Sequence, residues 1–372
     1  MREYLKYLLV IFILTVFSCQ KQPIVGPDIE YAEDGLVSFS TKVYTKSPVI
    51  TSLSGKNFGV YGYSFSKLTN WNTAKAKATP NEFHNLIVSG TDCSYSYIGE
   101  DALGGYKKWD FSKGYSFFAY YPYFEEYITD SDDVTTGVSR LTDLETPYID
   151  YTLPISGTNP VNPDDMLDIM TAAVKDHNLT LGPVVDFNFY HRLFCIDLKA
   201  INHSDDKIIL SDLSMTISGI HYNKTRIYMD RDRVVYDEVQ EKEISQPSIP
   251  STVSGWSSTN DVKFAPLLND NTLTIQPHST VASISNNTKL VMLIPQDSSL
   301  ENAAKLTVKI NGSLGEGNDK TSIQEVQGEF DLNFQEGRKY TLTLNFLTDD
   351  VILTAAVVDP WDVAEDVYHT FD

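Results

Sequence analysis

Cysteine is scarce in this sequence: Cys19, Cys93 and Cys195 are the only three in 372 residues. A disulfide framework and a cysteine-based zinc site both need more. What remains is one bridge between Cys93 and Cys195, or two buried thiols in the apolar settings CSYSY and RLFCIDL, where cysteine behaves as a small hydrophobe. Positive charge is also short. Lys and Arg total 29 against 50 Asp and Glu, a formal net charge of -21. Nucleic acid is therefore not an expected partner, because phosphate binding needs clustered cations. The seven histidines are scattered. His203 and His221 flank a strand pattern instead of sharing a helical face, and His191 beside Arg192 reads as a sheet residue, so no metal site is expected. No GxSxG, HExxH, GxGxxG or phosphate-loop pattern occurs. The expectation is no catalytic residue, no cofactor and no enzyme.

The carboxylates do not change this reading. Asp130, Asp132 and Asp133 lack the glycine and the distal glutamate of a calcium loop, and Asp164, Asp165 and Asp168 read as solvated loop charge. Long apolar runs are missing too, except one. The segment from Tyr7 to Phe17 follows Arg2 and Lys6 and ends at Ser18-Cys19. It is too short to span a bilayer, which takes about 20 apolar residues, and has the layout of a secretion signal. Val16-Phe17-Ser18-Cys19 resembles the lipobox of bacterial lipoproteins, which makes residues 1–18 a signal peptide, Cys19 the lipidation site and residues 19–35 a polar tether. An ordinary signal with an incidental Cys19 is the alternative.

What is abundant is β-forming sequence. Tyr (22) and Phe (18) are frequent, and short alternating runs recur between Gly, Asn, Asp and Pro clusters, the pattern of antiparallel β-sandwiches. In Leu306-Thr307-Val308-Lys309-Ile310 and from Tyr340 to Phe346 every second residue is apolar, so one face is buried and one is wet. From Tyr115 to Tyr123 aromatics occupy both faces, which predicts a strand covered on two sides and ended by Pro122. The alternative for these rings, an exposed platform that stacks sugars, is the weaker reading. Val185, Phe187 and Phe189 are out of phase with Phe194, Ile196 and Leu198, which predicts a bulge near 190–193. Polar stretches at 129–163 and 237–261 read as long loops. HNLTLGP at 177–183 reads as a boundary between sandwiches of residues 36–180 and 181–372.

Spread over nearly the whole chain, the lipobox at Cys19, VSFSTKVYTKS (37–47), NFGVYGY (57–63), WDFSKGYSFFAYYPY (109–123), DMLDIMTAA (165–173), VVDFNFYHRLFCIDL (184–198), FQEGRKYTLTL (334–344) and VVDPW (357–361) together resemble the fimbrillin-like pilins of Bacteroidetes. The resemblance implies an all-β chain of two transthyretin-like antiparallel sandwich domains. It implies a lipoprotein at the outer membrane and cell surface, a subunit of adhesive fimbriae whose partners are other subunits and a host or bacterial surface receptor. It further implies proteolysis after a basic residue, matched here by Lys46, with release of the first strand and assembly by strand addition.

The residues support that scheme. Val37, Phe39 and Val43 alternate with polar neighbours, and burying the three is worth roughly 5–8 kcal/mol at about 1.5–3 each. Loss of such a strand leaves an apolar groove with unpaired backbone. Val351, Leu353, Ala355 and Val357 form one face of a closing segment that is either a donated strand or the last strand of its own sheet. The competing function is a surface lipoprotein that never polymerises and binds glycan through aromatics such as Trp71, Trp109 or Trp256.

Overall fold

The computed structural model describes residues 37–43, 52–91, 94–97, 107–124, 126–127, 136–139, 147–154, 160–230, 236–237, 242–243, 253–268, 272–281, 290–295, 305–315, 321–322, 326–331, 336–348 and 350–360. These residues are almost entirely β. The chain begins with β1 (Ser38–Val43), β2 (Phe58–Ser66), β3 (Phe83–Thr91), β4 (Ser94–Tyr97) and β5 (Lys113–Tyr121), with a four-residue helix α1 (Trp71–Ala74) between β2 and β3. It continues with β6 (Glu126–Tyr127), β7 (Thr136–Ser139), β8 (Tyr148–Thr152), β9 (Met170–His177), β10 (Val184–His191), β11 (Phe194–Asn202) and β12 (Ile208–Tyr228). The remaining strands are β13 (Tyr236–Asp237), β14 (Lys242–Glu243), β15 (Val253–Phe264), β16 (Thr272–Ile275), β17 (Ser279–Val281), β18 (Val291–Leu293), β19 (Lys305–Leu314), β20 (Thr321–Ser322), β21 (Val326–Asp331), β22 (Arg338–Phe346) and β23 (Val351–Pro360).

Seven strands in the order β1-β10-β9-β5-β2-β3-β4 close into a barrel. Its interior is aromatic: Phe39, Phe58, Phe83, Phe117, Phe187 and Phe189 share one buried cluster. The other faces of β2 and β5 carry Tyr61, Tyr63, Phe118 and Tyr120, which are buried in a second cluster with side chains of the later sheets. Every residue from Gly114 to Tyr120 is buried, as aromatics on both faces of one strand predict, and β5 stops one residue before Pro122.

Beyond the barrel lie two further large sheets. One has the order β17-β11-β22-β23, with β18 added on β11; the other runs β20-β19-β12-β8-β7-β6, with β15 and β16 on β12 and β21 on β19. The 21 residues of β12 form the spine of the second sheet. At about 3.3 Å per residue they extend for roughly 70 Å.

Four expectations need correction. Pairing is not purely antiparallel, because β1 runs parallel to β10 and β11 parallel to β22. These two pairs join strands far apart in sequence, and the strands between them supply the long connection that parallel neighbours require; the short β6 and β7 are also parallel. The division at residue 181 falls inside the barrel sheet, since β10 pairs with both β1 and β9, while β8, earlier in sequence, pairs with β12. The phase change after Phe189 is a passage between sheets: β10 ends at His191, β11 starts at Phe194, and Phe189 and Phe194 belong to different cores. Finally, the polar stretches at 129–163 and 237–261 contain β7, β8 and most of β15.

One close approach in the barrel wall tests this packing. A Cβ at Gly59 would lie 2.1 Å from Cε1 of Tyr120. That ring has no room to move, because its hydroxyl donates to Asn85 Oδ1 (2.6 Å) and accepts from the Phe124 N–H (3.2 Å). Gly59→Ala is expected to cost about 1–3 kcal/mol by overpacking, whereas Lys56→Ala at an exposed turn should stay within about 0.5 kcal/mol. Midpoints of urea unfolding check both.

Candidate functional site: the seam at the first strand

The first strand closes the barrel, and it is bonded unequally on its two sides. Six consecutive pairs, Ser38↔Val184 to Val43↔Phe189, join it to β10. On its other side the described residues include one pair to β4, Phe39↔Tyr95. Alternation in Val37-Ser38-Phe39-Ser40 sends apolar side chains inward and hydroxyls outward: Val37 and Phe39 are buried, while Ser40 Oγ contacts Asp186 on the outside. Phe39 is 1% exposed. It stacks on Phe187 at 5.5 Å between centroids and meets Phe83 and Phe117 edge-on at 5.8 and 6.1 Å. Val37 anchors the start of the strand, its N–H donating to the Lys107 carbonyl at 2.9 Å. Val43 is half-buried at the other end.

Of the other residues singled out in sequence, Val351 is half-buried and Leu353 buried on β23. This strand pairs with β22 and ends its sheet. Val357 is opposite Thr341, and Ala355 falls within the register shift between Thr341 and Thr343. The two segments are therefore separate in the fold, with the first strand in the barrel and the closing strand at the edge of another sheet. Cys19 and Lys46 lie outside the described residues.

Some side chains behave differently from their sequence reading. Asp168, grouped with solvated loop charge, is 6% exposed, and its Oδ1 lies 2.6 Å from Nδ1 of the fully buried His191. Next to it Arg192 donates from Nε to Thr171 and from a terminal nitrogen to Glu336, each at 2.5 Å. The Arg192 N–H reaches the Ile169 carbonyl, and the Gly337 N–H the Leu193 carbonyl. This knot ties β10 to β11 at the passage between the two cores. Nothing in a local pattern signals it, since Glu336 is 144 residues from Arg192.

Burial pushes the Cys195 thiol well above its ordinary range, and burial also lowers the pKa of His177, which faces the Gly182 carbonyl. His203 faces Asn345, and no group of three metal-ligating side chains occurs among the described residues. Trp71 and Trp109 are both buried. They offer no sugar platform, and the Trp256 side chain lies outside the described residues.

A closed barrel completed by its first strand is a fold that can be compared as a whole. The model of the fimbrillin-like family matches residues 41–361. The chain belongs to the fimbrillin-like family. Among solved structures, a fimbrial protein from Bacteroides vulgatus has 20% identity and a TM-score of 0.59, with 87% of this chain and 99% of that chain covered. A fimbrial assembly protein from Parabacteroides distasonis has 10% identity and a TM-score of 0.33 over 87% of this chain and 99% of that one. Among curated proteins none matches.

The seam predicts an asymmetric response to substitution. Phe39→Ala should lower stability by about 3–5 kcal/mol, because it empties a pocket between three rings that cannot collapse together. Ile352→Ser, on an edge strand at 41% exposure, should change it by no more than about 0.5 kcal/mol. Chemical unfolding of the two variants makes the comparison.

Proposed function

We propose that this chain is a structural and adhesive subunit of surface fimbriae, exported as a lipoprotein through Cys19 and assembled by exchange of its first strand after proteolysis at Lys46. The observation that carries this reading is the seam: a strand with six pairs on one side and one described pair on the other, anchored by a buried phenylalanine. Its departure would uncover the edge of β10 and the pocket of Phe83, Phe117 and Phe187, a groove suited to strand addition. Other fimbrial subunits are the partners that fit.

The closing strand suits such a groove. Val351, Leu353, Ala355 and Val357 repeat at the same two-residue interval the series Val37, Phe39, Thr41 and Val43, with Leu353 at the place of Phe39. A donor in that register runs parallel to β10, as β1 does. Two transthyretin-like lobes accommodate this, one being the barrel to His191 and the other beginning at Phe194 and taking in β6 to β8.

Trypsin treatment of the full-length protein tests the mechanism. A cut after Lys46 should convert a chain that is monomeric at micromolar concentration into oligomers that survive dilution and high salt, because the intact chain's own strand competes at high effective concentration. A cleaved protein that stays monomeric at high concentration refutes strand exchange. Export is tested separately: Cys19→Ala should lose all labelling by a palmitate analogue in cells and leave the membrane fraction. Equal labelling of variant and parent removes the lipoprotein reading.

A further inference from the structure

Four of the six exposed large apolar side chains among the described residues, Leu68, Phe111, Leu181 and Val184, sit at one mouth of the barrel. Leu68 follows the end of β2, Phe111 precedes β5, Leu181 lies between β9 and β10, and Val184 begins β10. The registers Ser66↔Lys113 and Tyr115↔His177 bring these turns to the same end, and Trp109 Nε1 ties two of them together by donating to the Pro183 carbonyl at 3.0 Å. Leu68 is 96% exposed, Phe111 62% and Leu181 67%.

Each of these three tips is fixed by its own turn. The Thr69 N–H and Oγ1 donate to the Ser66 carbonyl at 2.9 and 2.8 Å. Around Phe111 the Ser112 N–H donates to Asp110 Oδ1 at 2.9 Å and the Lys113 N–H to the Asp110 carbonyl at 3.1 Å, and the Leu181 N–H donates to the Asn178 carbonyl at 2.9 Å. A partner that covers them has no loop to order.

Charge does not define this end. Lys67 and Lys108 are exposed, but so are Asp110, Asp176 and Asp186. Their carboxylates are bonded within the protein: Ser112 Oγ donates to Asp110 Oδ1 at 2.6 Å, the Trp71 N–H to Asp176 Oδ1 at 2.6 Å, and Ser40 Oγ to Asp186. Apolar tips among charges of both signs suit a lipid interface, which admits an apolar face to a depth of about 5–10 Å while charged groups stay at headgroup level.

The course of the chain selects that occupant. Ser38 is opposite Val184 in the parallel pair β1–β10, so the first strand begins at the mouth, where the Val37 N–H donates to the Lys107 carbonyl. Cys19 precedes Val37 by 18 residues, a length of chain that reaches at most about 60–65 Å. The β22–β23 turn, with Leu347 and Ile352, is remote from this point. Asn202, opposite Phe346, meets the Ile275 carbonyl beside Ile208 at the start of β12, whereas Asp230, just past the other end of β12, meets Trp71 Nε1 at 3.4 Å near the mouth. The strand between them is roughly 70 Å long.

Resting on the lipoprotein reading of Cys19, we infer that in the uncut chain the mouth of the barrel lies against the membrane, with Leu68, Phe111 and Leu181 in the interfacial layer of the lipid. The anchor keeps the mouth at a high effective concentration of lipid, so a few apolar side chains suffice without charge attraction. The barrel is then the foot of the molecule, and the β22–β23 turn stands away from the membrane.

Site-specific photocrosslinking of the full-length, acylated protein in phosphatidylcholine vesicles tests this. A benzophenone side chain in place of Leu68, Phe111 or Leu181 should form lipid adducts, read by mass spectrometry, at roughly ten times the yield of the same group in place of Ile352, because interfacial contact follows the apolar area buried. The yield should be equal at low and high salt, which screens only charge. With Phe111→Glu and Leu181→Glu together, adducts from position 68 should fall about tenfold, while acylation of Cys19 and the circular dichroism spectrum match the parent. Equal yields at both ends, or no lipid adducts, overturn the inference. So do protein–protein crosslinks from the mouth in place of lipid adducts, which mean that a protein covers it, and a steep loss of adducts at high salt, which means adsorption by charge. In each of these cases the acyl chain on Cys19, read in the same spectra, leaves the lipoprotein reading standing. A Cys19 peptide without an acyl chain removes that reading and this inference with it.

Discussion

The barrel depends on one aromatic contact. Phe39 fills the space between Phe187, Phe83 and Phe117, which come from three different strands of the wall. Without that ring the wall has a void at the place where it closes, because the three phenylalanines are held apart by their own backbone ladders. Backbone pairing adds to that contact through six consecutive pairs to β10 and, among the described residues, the pair Phe39↔Tyr95 to β4.

The position of β1 also connects the barrel mechanically with the rest of the chain. It lies beside β10, β10 continues through Arg192 into β11, and β11 pairs along its length with β22, the neighbour of β23. A pull on the first-strand position therefore passes through hydrogen-bonded neighbours to the closing strand. The weak link in that path would be the two residues between β10 and β11, where no ladder runs. There Arg192 is fixed by Thr171 and Glu336, and His191 by Asp168. A buried charge with partners on both sides is costly to separate from either, which keeps the passage rigid.

Much was legible in the sequence because it depends on local alternation. The β content, the two-sided burial of β5 and the buried face of β1 all follow from which positions are apolar at a period of two. The family resemblance followed from the same runs in their order. Partner choice was not legible. That β1 runs parallel to β10, that β10 stays with the barrel past residue 181, and that the change of phase after Phe189 is a passage between sheets all depend on pairing between distant segments. Alternation fixes which face of a strand is buried but says nothing about its neighbour. Asp168 and Arg192 were misread or unread for the same reason: their partners are 23 and 144 residues away. The sequence by itself determined strands and faces; only the tertiary structure decided which strand closes the barrel, because that choice is made by how three distant phenylalanines pack around a fourth.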